Sequence, residues 1–332
     1  MRLRVTLMTS LLALLPALSV QAEDSATLTA LRADLSSGSL RPLLDRQRII
    51  EIPDALQEQW LADSPFRSFA VTGFNENGQR FAARIRLHLI SDDHEDALPT
   101  VTFIRVSGTP GSSYRIDQFH DYASGLDLAA LEAEKAWLLS GEGKAFLAML
   151  SQQPDNTALA PLARGRPAAL ALWLAQCMGR PCENTALTAQ IPTDSPAFSH
   201  VQRGFMAGDQ EQAADSIVEL HRALGDDPWL WRTLGLQAHQ YGHCQWVLDE
   251  MQRGWMEHPD NTPLADTTLQ CTLATLDPEQ QELDDQGTAF MQRLSQQIGR
   301  DNLARAISEY YRQYPQPQPA ALQAWTAASR KE

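Results

Sequence analysis

The chain has 332 residues, of which 41 are acidic and 27 basic, and a formal net charge of −14. That balance repels phosphate backbones and anionic lipid headgroups, which excludes nucleic acid as a partner. Like charges nowhere gather into blocks of five or six, so the acidity belongs to solvated faces and not to an interaction tail.

In "MRLRVTLMTSLLALLPALSVQA", Arg2 and Arg4 precede an apolar run from Val5 to Val20, broken by Pro16 and closed by the small-x-small site Val20-Gln21-Ala22. Residues 1–22 are therefore expected to be a cleavable secretory signal; a membrane span would need about 20 predominantly apolar residues. The arginines are not adjacent and no cysteine follows the cleavage site. A bacterial periplasmic protein is expected, with no lipid anchor and no membrane insertion after cleavage. Cleavage leaves 310 residues with a charge of −16, enough chain for two domains.

Residues 23–125 read as an α+β domain. Helical spacing runs over Ala26–Leu35, Leu40–Ile49 and Pro53–Leu61. In "RFAARIRLHLI", Phe81, Ala83, Ile85, Leu87 and Leu89 alternate with Ala82, Arg84, Arg86 and His88, as in a strand with one buried face. Before it stands "FRSFAVTGFNENGQ", where Asn77-Gly78 predicts a tight turn with both residues at positive φ. "TVTFIRVS" and "YRIDQFHDY" give two more strands, joined by "GTPGSS". Helices on a four-stranded antiparallel meander are the expected architecture.

Helices followed by a sheet of this length, ending in "YRIDQFHDYASGLDL", resemble the cone-shaped nuclear-transport-factor-2-like domains. Some members of that group are enzymes with a polar pocket, which makes Asp117, His120 and Asp121 a candidate acid–base set. Strand alternation puts Asp117 and Asp121 on one face and His120 on the other. No catalytic residue is assigned. The acidic stretch "SDDHEDALP" lacks the glycine and spaced oxygens of a calcium loop, and Gly242 interrupts the His239/His243 pair. The reading includes neither metal nor cofactor, and no GxSxG, HExxH or phosphate loop points to an enzyme.

From Gly125 onward only helical periods appear, through a connector at 126–192 and an all-α region at 193–332. All four cysteines, Cys177, Cys182, Cys244 and Cys271, lie here. Four intervening residues are too many for a thioredoxin-type pair, and the spacings do not match zinc knuckles. In an exported chain they read as two structural disulfides, Cys177–Cys182 and Cys244–Cys271.

In "WLWRTLGLQAHQYGHCQWVLDEMQRGWMEHPDN", Trp231, Leu234, Gly235, Gly242, Val247, Met251, Gly254 and Pro259 follow the order of a tetratricopeptide repeat. Gly204 precedes Pro228 by the same 24 positions that separate Gly235 from Pro259. The resemblance implies stacked helical hairpins with a concave groove that holds a protein or peptide. It departs from the family at Val247 and Ser216, where a small residue is usual, and at Ala238. Trp229, Arg232, Leu236 and His239 share one face of the first helix, and by the resemblance that face lines the groove. Trp231, Leu234 and Gly235 would point into the helix packing. Two readings follow: a non-enzymatic periplasmic interaction or envelope-assembly factor using the groove, or an enzyme or small-ligand binder using a pocket in the cone. A polar pocket in the first domain would favour the second, and a Phe/Leu-filled one the first.

Overall fold

The computed structural model describes residues 25–46, 66–89, 101–153, 155–177 and 196–326. The expected helix at 53–61, the acidic stretch at 91–99 and the Cys177–Cys182 pairing lie outside them. Helices α1 (Ala26–Leu35) and α2 (Arg41–Asp45) precede four strands, β1 (Phe66–Glu76), β2 (Phe81–Leu89), β3 (Val101–Thr109) and β4 (Arg115–Asp121). The strands form one antiparallel sheet in the order β1-β2-β3-β4, followed by a helical region, so the α+β then all-α architecture holds.

The alternation in β2 sorts its side chains as expected: Phe81, Ala83, Ile85 and Leu87 are buried, and they pack with Leu28, Leu31 and Leu35 of α1. Ile104, Val106, Ile116 and Phe119 extend the same face. Each of the larger side chains contributes about 1.5–3 kcal/mol when removed from water, which fixes the register because a one-residue slip would expose the whole set. A polar anchor closes the edge, where the Asp34 carboxylate accepts from the Tyr114 hydroxyl at 2.7 Å and pairs with Arg46.

One turn and one strand pair differ from expectation. Glu76 pairs with Phe81, so residues 77–80 close the first hairpin, and of these only Gly78 takes a positive φ, +80°. The Asn77 side chain makes the second left-handed residue unnecessary, because its Oδ1 accepts from the backbone N–H of Gln79 (3.2 Å) and of Arg80 (2.8 Å). In the β3–β4 pair, Ser107 faces Gln118 while Gly108 faces Ile116, which makes Asp117 the extra residue of a bulge. Simple alternation fails from there on, and Asp117 borders the same cavity as His120.

Four helices follow: α3 (Leu128–Leu138), α4 (Gly141–Gln152), α5 (Leu159–Ala163) and α6 (Pro167–Cys177). They share the sheet's core through Leu131, Leu138, Phe146, Leu150 and Trp173. Glu134, 8 % exposed, accepts from the first N–H groups of α6, Ala168 at 2.9 Å and Ala169 at 3.4 Å. Burial raises its carboxyl pKa, and these bonds offset only part of the rise.

A second core begins at α7 (Phe198–Ala207) and continues through α8 (Gln210–Leu224), α9 (Pro228–Gln240), α10 (Leu248–Glu257), α11 (Thr262–Thr275), α12 (Asp285–Ile298), α13 (Arg300–Gln313) and α14 (Gln323–Thr326). Asp209, Asp227, Asn261 and Asp284 cap α8, α9, α11 and α12 by accepting from N–H groups of the first turn. Helix α7 packs on α8, and α9 on α7, α10 and α11. The two equivalently spaced glycines lie at these contacts. A Cβ on Gly204 would meet Ala213 N at 2.7 Å, and one on Gly235 would meet Met251 Sδ at 2.6 Å. Trp231, Leu234, Val247 and Met251 are buried.

Cys244, in a single 3-10 turn before α10, forms a disulfide with Cys271 of α11, with Cα atoms 5.2 Å apart and a sequence separation of 27. Closing a loop of that length is worth about 3.5 kcal/mol. Replacing both residues with serine should lower stability by roughly that amount in urea unfolding. Thiol titration of the denatured protein should find no free thiol. Recovery of reactive Cys244 or Cys271 would show that the bond does not form.

Candidate functional site

The four residues expected on one face of α9 do lie along it, but their surroundings differ. Trp229 is half-buried against the sheet domain: its ring meets that of His88 edge-on at 4.6 Å, with the Arg86 guanidinium 5.6 Å and the Arg232 guanidinium 5.2 Å from its centre. Arg232 is 3 % exposed, and burial lowers its pKa while nearby Asp266 raises it. Asp266 is raised by burial in turn and accepts from Gln270 Nε2 at 3.0 Å. Trp229 and Arg232 are thus already engaged within the chain.

The other end of the face is open. Leu236 is 39 % exposed and His239 half-buried, with the Tyr314 ring 5.2 Å away and Tyr310, in α13, 6.1 Å away. Tyr310 and Tyr314 pack together at 4.9 Å, and Tyr314 is also 39 % exposed. Burial lowers the His239 pKa, which favours the neutral imidazole. This Leu236–His239–Tyr314 surface is what the expected groove residues contribute. Its tyrosines were missed, although their spacing of four places both on one helical face.

A second candidate lies on the face of the sheet opposite α1. The helical half covers part of it: Arg86 Nη1 reaches both oxygens of Asp227 at 2.6 Å, Arg84 Nη1 donates to the Ala223 carbonyl at 3.1 Å, and Phe103 stacks on Phe198 at 5.8 Å. Burial, with Arg86 beside it, lowers the pKa of His88 at this contact. The uncovered part is a cavity of 330 Å³ bordered by Arg105, Ser107, Gln118, His120, Tyr122 and Leu128, among others.

Asp117, His120 and Asp121 form no acid–base set there. Arg80 donates to both oxygens of Asp117 (2.9 and 2.7 Å), His120 Nε2 lies 3.0 Å from the Pro196 carbonyl, and Asp121 accepts from the backbone N–H groups of Ala123 and Ser124. His243 stacks on Trp246 at 4.0 Å, and among the described residues no cluster of His, Cys, Asp or Glu is arranged to hold a metal. No helix among them is long and apolar enough to cross a membrane.

No family model, curated protein or solved structure matches this chain.

Proposed function

We propose that this protein is a non-enzymatic interaction or assembly factor of the bacterial envelope, exported to the periplasm, whose helical half works as a tetratricopeptide-like array. The observation that carries this reading is the open end of the α9 face, where Leu236 and Tyr314 flank His239. Large apolar side chains left in water beside an aromatic cluster have the composition of an interface core. The Cys244–Cys271 disulfide suits an oxidising compartment. A pocket between the sheet and α1 is not favoured, because that face is packed with Leu28, Leu31, Leu35, Phe81 and Tyr114; the polar-lined cavity lies on the opposite face.

The test is affinity capture from an envelope extract by the purified protein, with Leu236→Asp and Val218→Asp compared. Val218, 54 % exposed on α8, lies on another helix and serves as the control. Leu236→Asp should reduce the captured partner at least about tenfold with the melting temperature unchanged, while Val218→Asp captures normally. Equal capture by both variants would dismiss the α9 face.

A further inference from the structure

Three arginines crowd the sheet face opposite α1. Arg84 and Arg105 are directly paired across β2 and β3, and Arg86 stands two residues along. Like charges opposite one another on paired strands repel, so each needs a counter-charge, a carbonyl or solvent. The chain supplies two of them, Asp227 for Arg86 and the Ala223 carbonyl for Arg84. Arg105 is exposed beside the Tyr122 hydroxyl, and among the described residues no carboxylate pairs with it. It opens into the 330 Å³ cavity.

Both carboxylates bordering that cavity are committed elsewhere: Asp117 to Arg80, and Asp127 to the Ala130 N–H at 2.7 Å. Ser107 donates its hydroxyl proton to Gln118 Oε1 at 2.9 Å, which leaves the Gln118 amide nitrogen as a donor on the wall. The rest of the wall is His120, whose Nε2 is held 3.0 Å from the Pro196 carbonyl, and the mainly apolar Phe119, Tyr122, Leu128, Ala129 and Pro196. We propose that this cavity binds a small organic monocarboxylate, with its oxygens on the Arg105 guanidinium and Gln118 Nε2 and its compact apolar body against Tyr122, Leu128 and Pro196. A planar carboxylate matches the guanidinium fork. Asp117 and Asp127 oppose a second negative charge, which argues against phosphate. The volume is near the lower end of the usual range for ligand pockets, about 300–1,000 Å³, and suits a ligand of this size.

Isothermal titration of the purified protein with benzoate, hexanoate, hexylamine and inorganic phosphate tests this. At least one carboxylate should bind and shift the Gln118 side-chain amide resonances, and hexylamine should not bind. Arg105→Gln should weaken carboxylate binding at least about tenfold, the loss of one charge-assisted pair, with a melting temperature unchanged or raised because the repulsion with Arg84 is gone. Should that variant fold poorly, Arg105→Lys retains the charge without the fork and should bind with intermediate strength. The proposal is overturned if neither carboxylate binds, if phosphate or hexylamine binds as tightly, or if the variants bind like the parent.

Discussion

Asp227→Ala is expected to cost about 3 kcal/mol in denaturant unfolding, because it leaves the half-buried guanidinium of Arg86 without its counter-ion. The side chains are 16 % and 5 % exposed, and both Asp227 oxygens lie 2.6 Å from Arg86 Nη1. Asp227 has a second duty, since Oδ1 also accepts from the Trp229 N–H at 2.9 Å and caps α9. Losing a cap adds about 1 kcal/mol. Asp227→Asn separates the two contributions: asparagine caps as well as aspartate, so this variant should recover about that 1 kcal/mol and no more. A loss below about 1 kcal/mol for Asp227→Ala would mean that the pair does not join the sheet to the helical half.

This clasp also marks where the sequence stopped being informative. The β2 alternation was legible because burial of Ile85 and Leu87 leaves a period of two, and Cys244 with Cys271 because the hairpin order brings neighbouring helices together. A helical face, by contrast, says which side chains share a direction and not what covers them. Trp229, Arg232, Leu236 and His239 share a face, yet the sheet's His88 and Arg86 take the Trp229 end and leave Leu236 open. Arginine at both Arg84 and Arg86 was a usable signal. Two cations on one strand face call for partners, and Asp226-Asp227 ahead of Pro228 offered them with an N-cap geometry already written in. The choice among acidic residues was non-local, and no periodicity encodes it.

The bulge that places Asp117 beside the cavity rests on Gly108, and substituting that glycine is the second large expected effect. A Cβ there would stand 1.8 Å from the Arg115 carbonyl oxygen and 3.0 Å from the Ile116 Cα, both backbone atoms of the paired strand. A side chain can rotate away from such a clash, but a strand held in register cannot. Gly108→Ala should therefore force β3 and β4 apart at the bulge and cost about 3 kcal/mol, the upper end for overpacking. The damage should be local before it is global: amides of β4 should lose hydrogen-exchange protection, while those of α9 and α11, in the other core, should keep theirs. Gly78→Ala is the comparison. Nothing lies within 4 Å of its Cβ, so only the φ of +80° opposes it, at about 1 kcal/mol. If the two variants prove equally stable, the close approach of β3 and β4 is wrong, and with it the placement of Asp117 and Gln118 on the cavity wall.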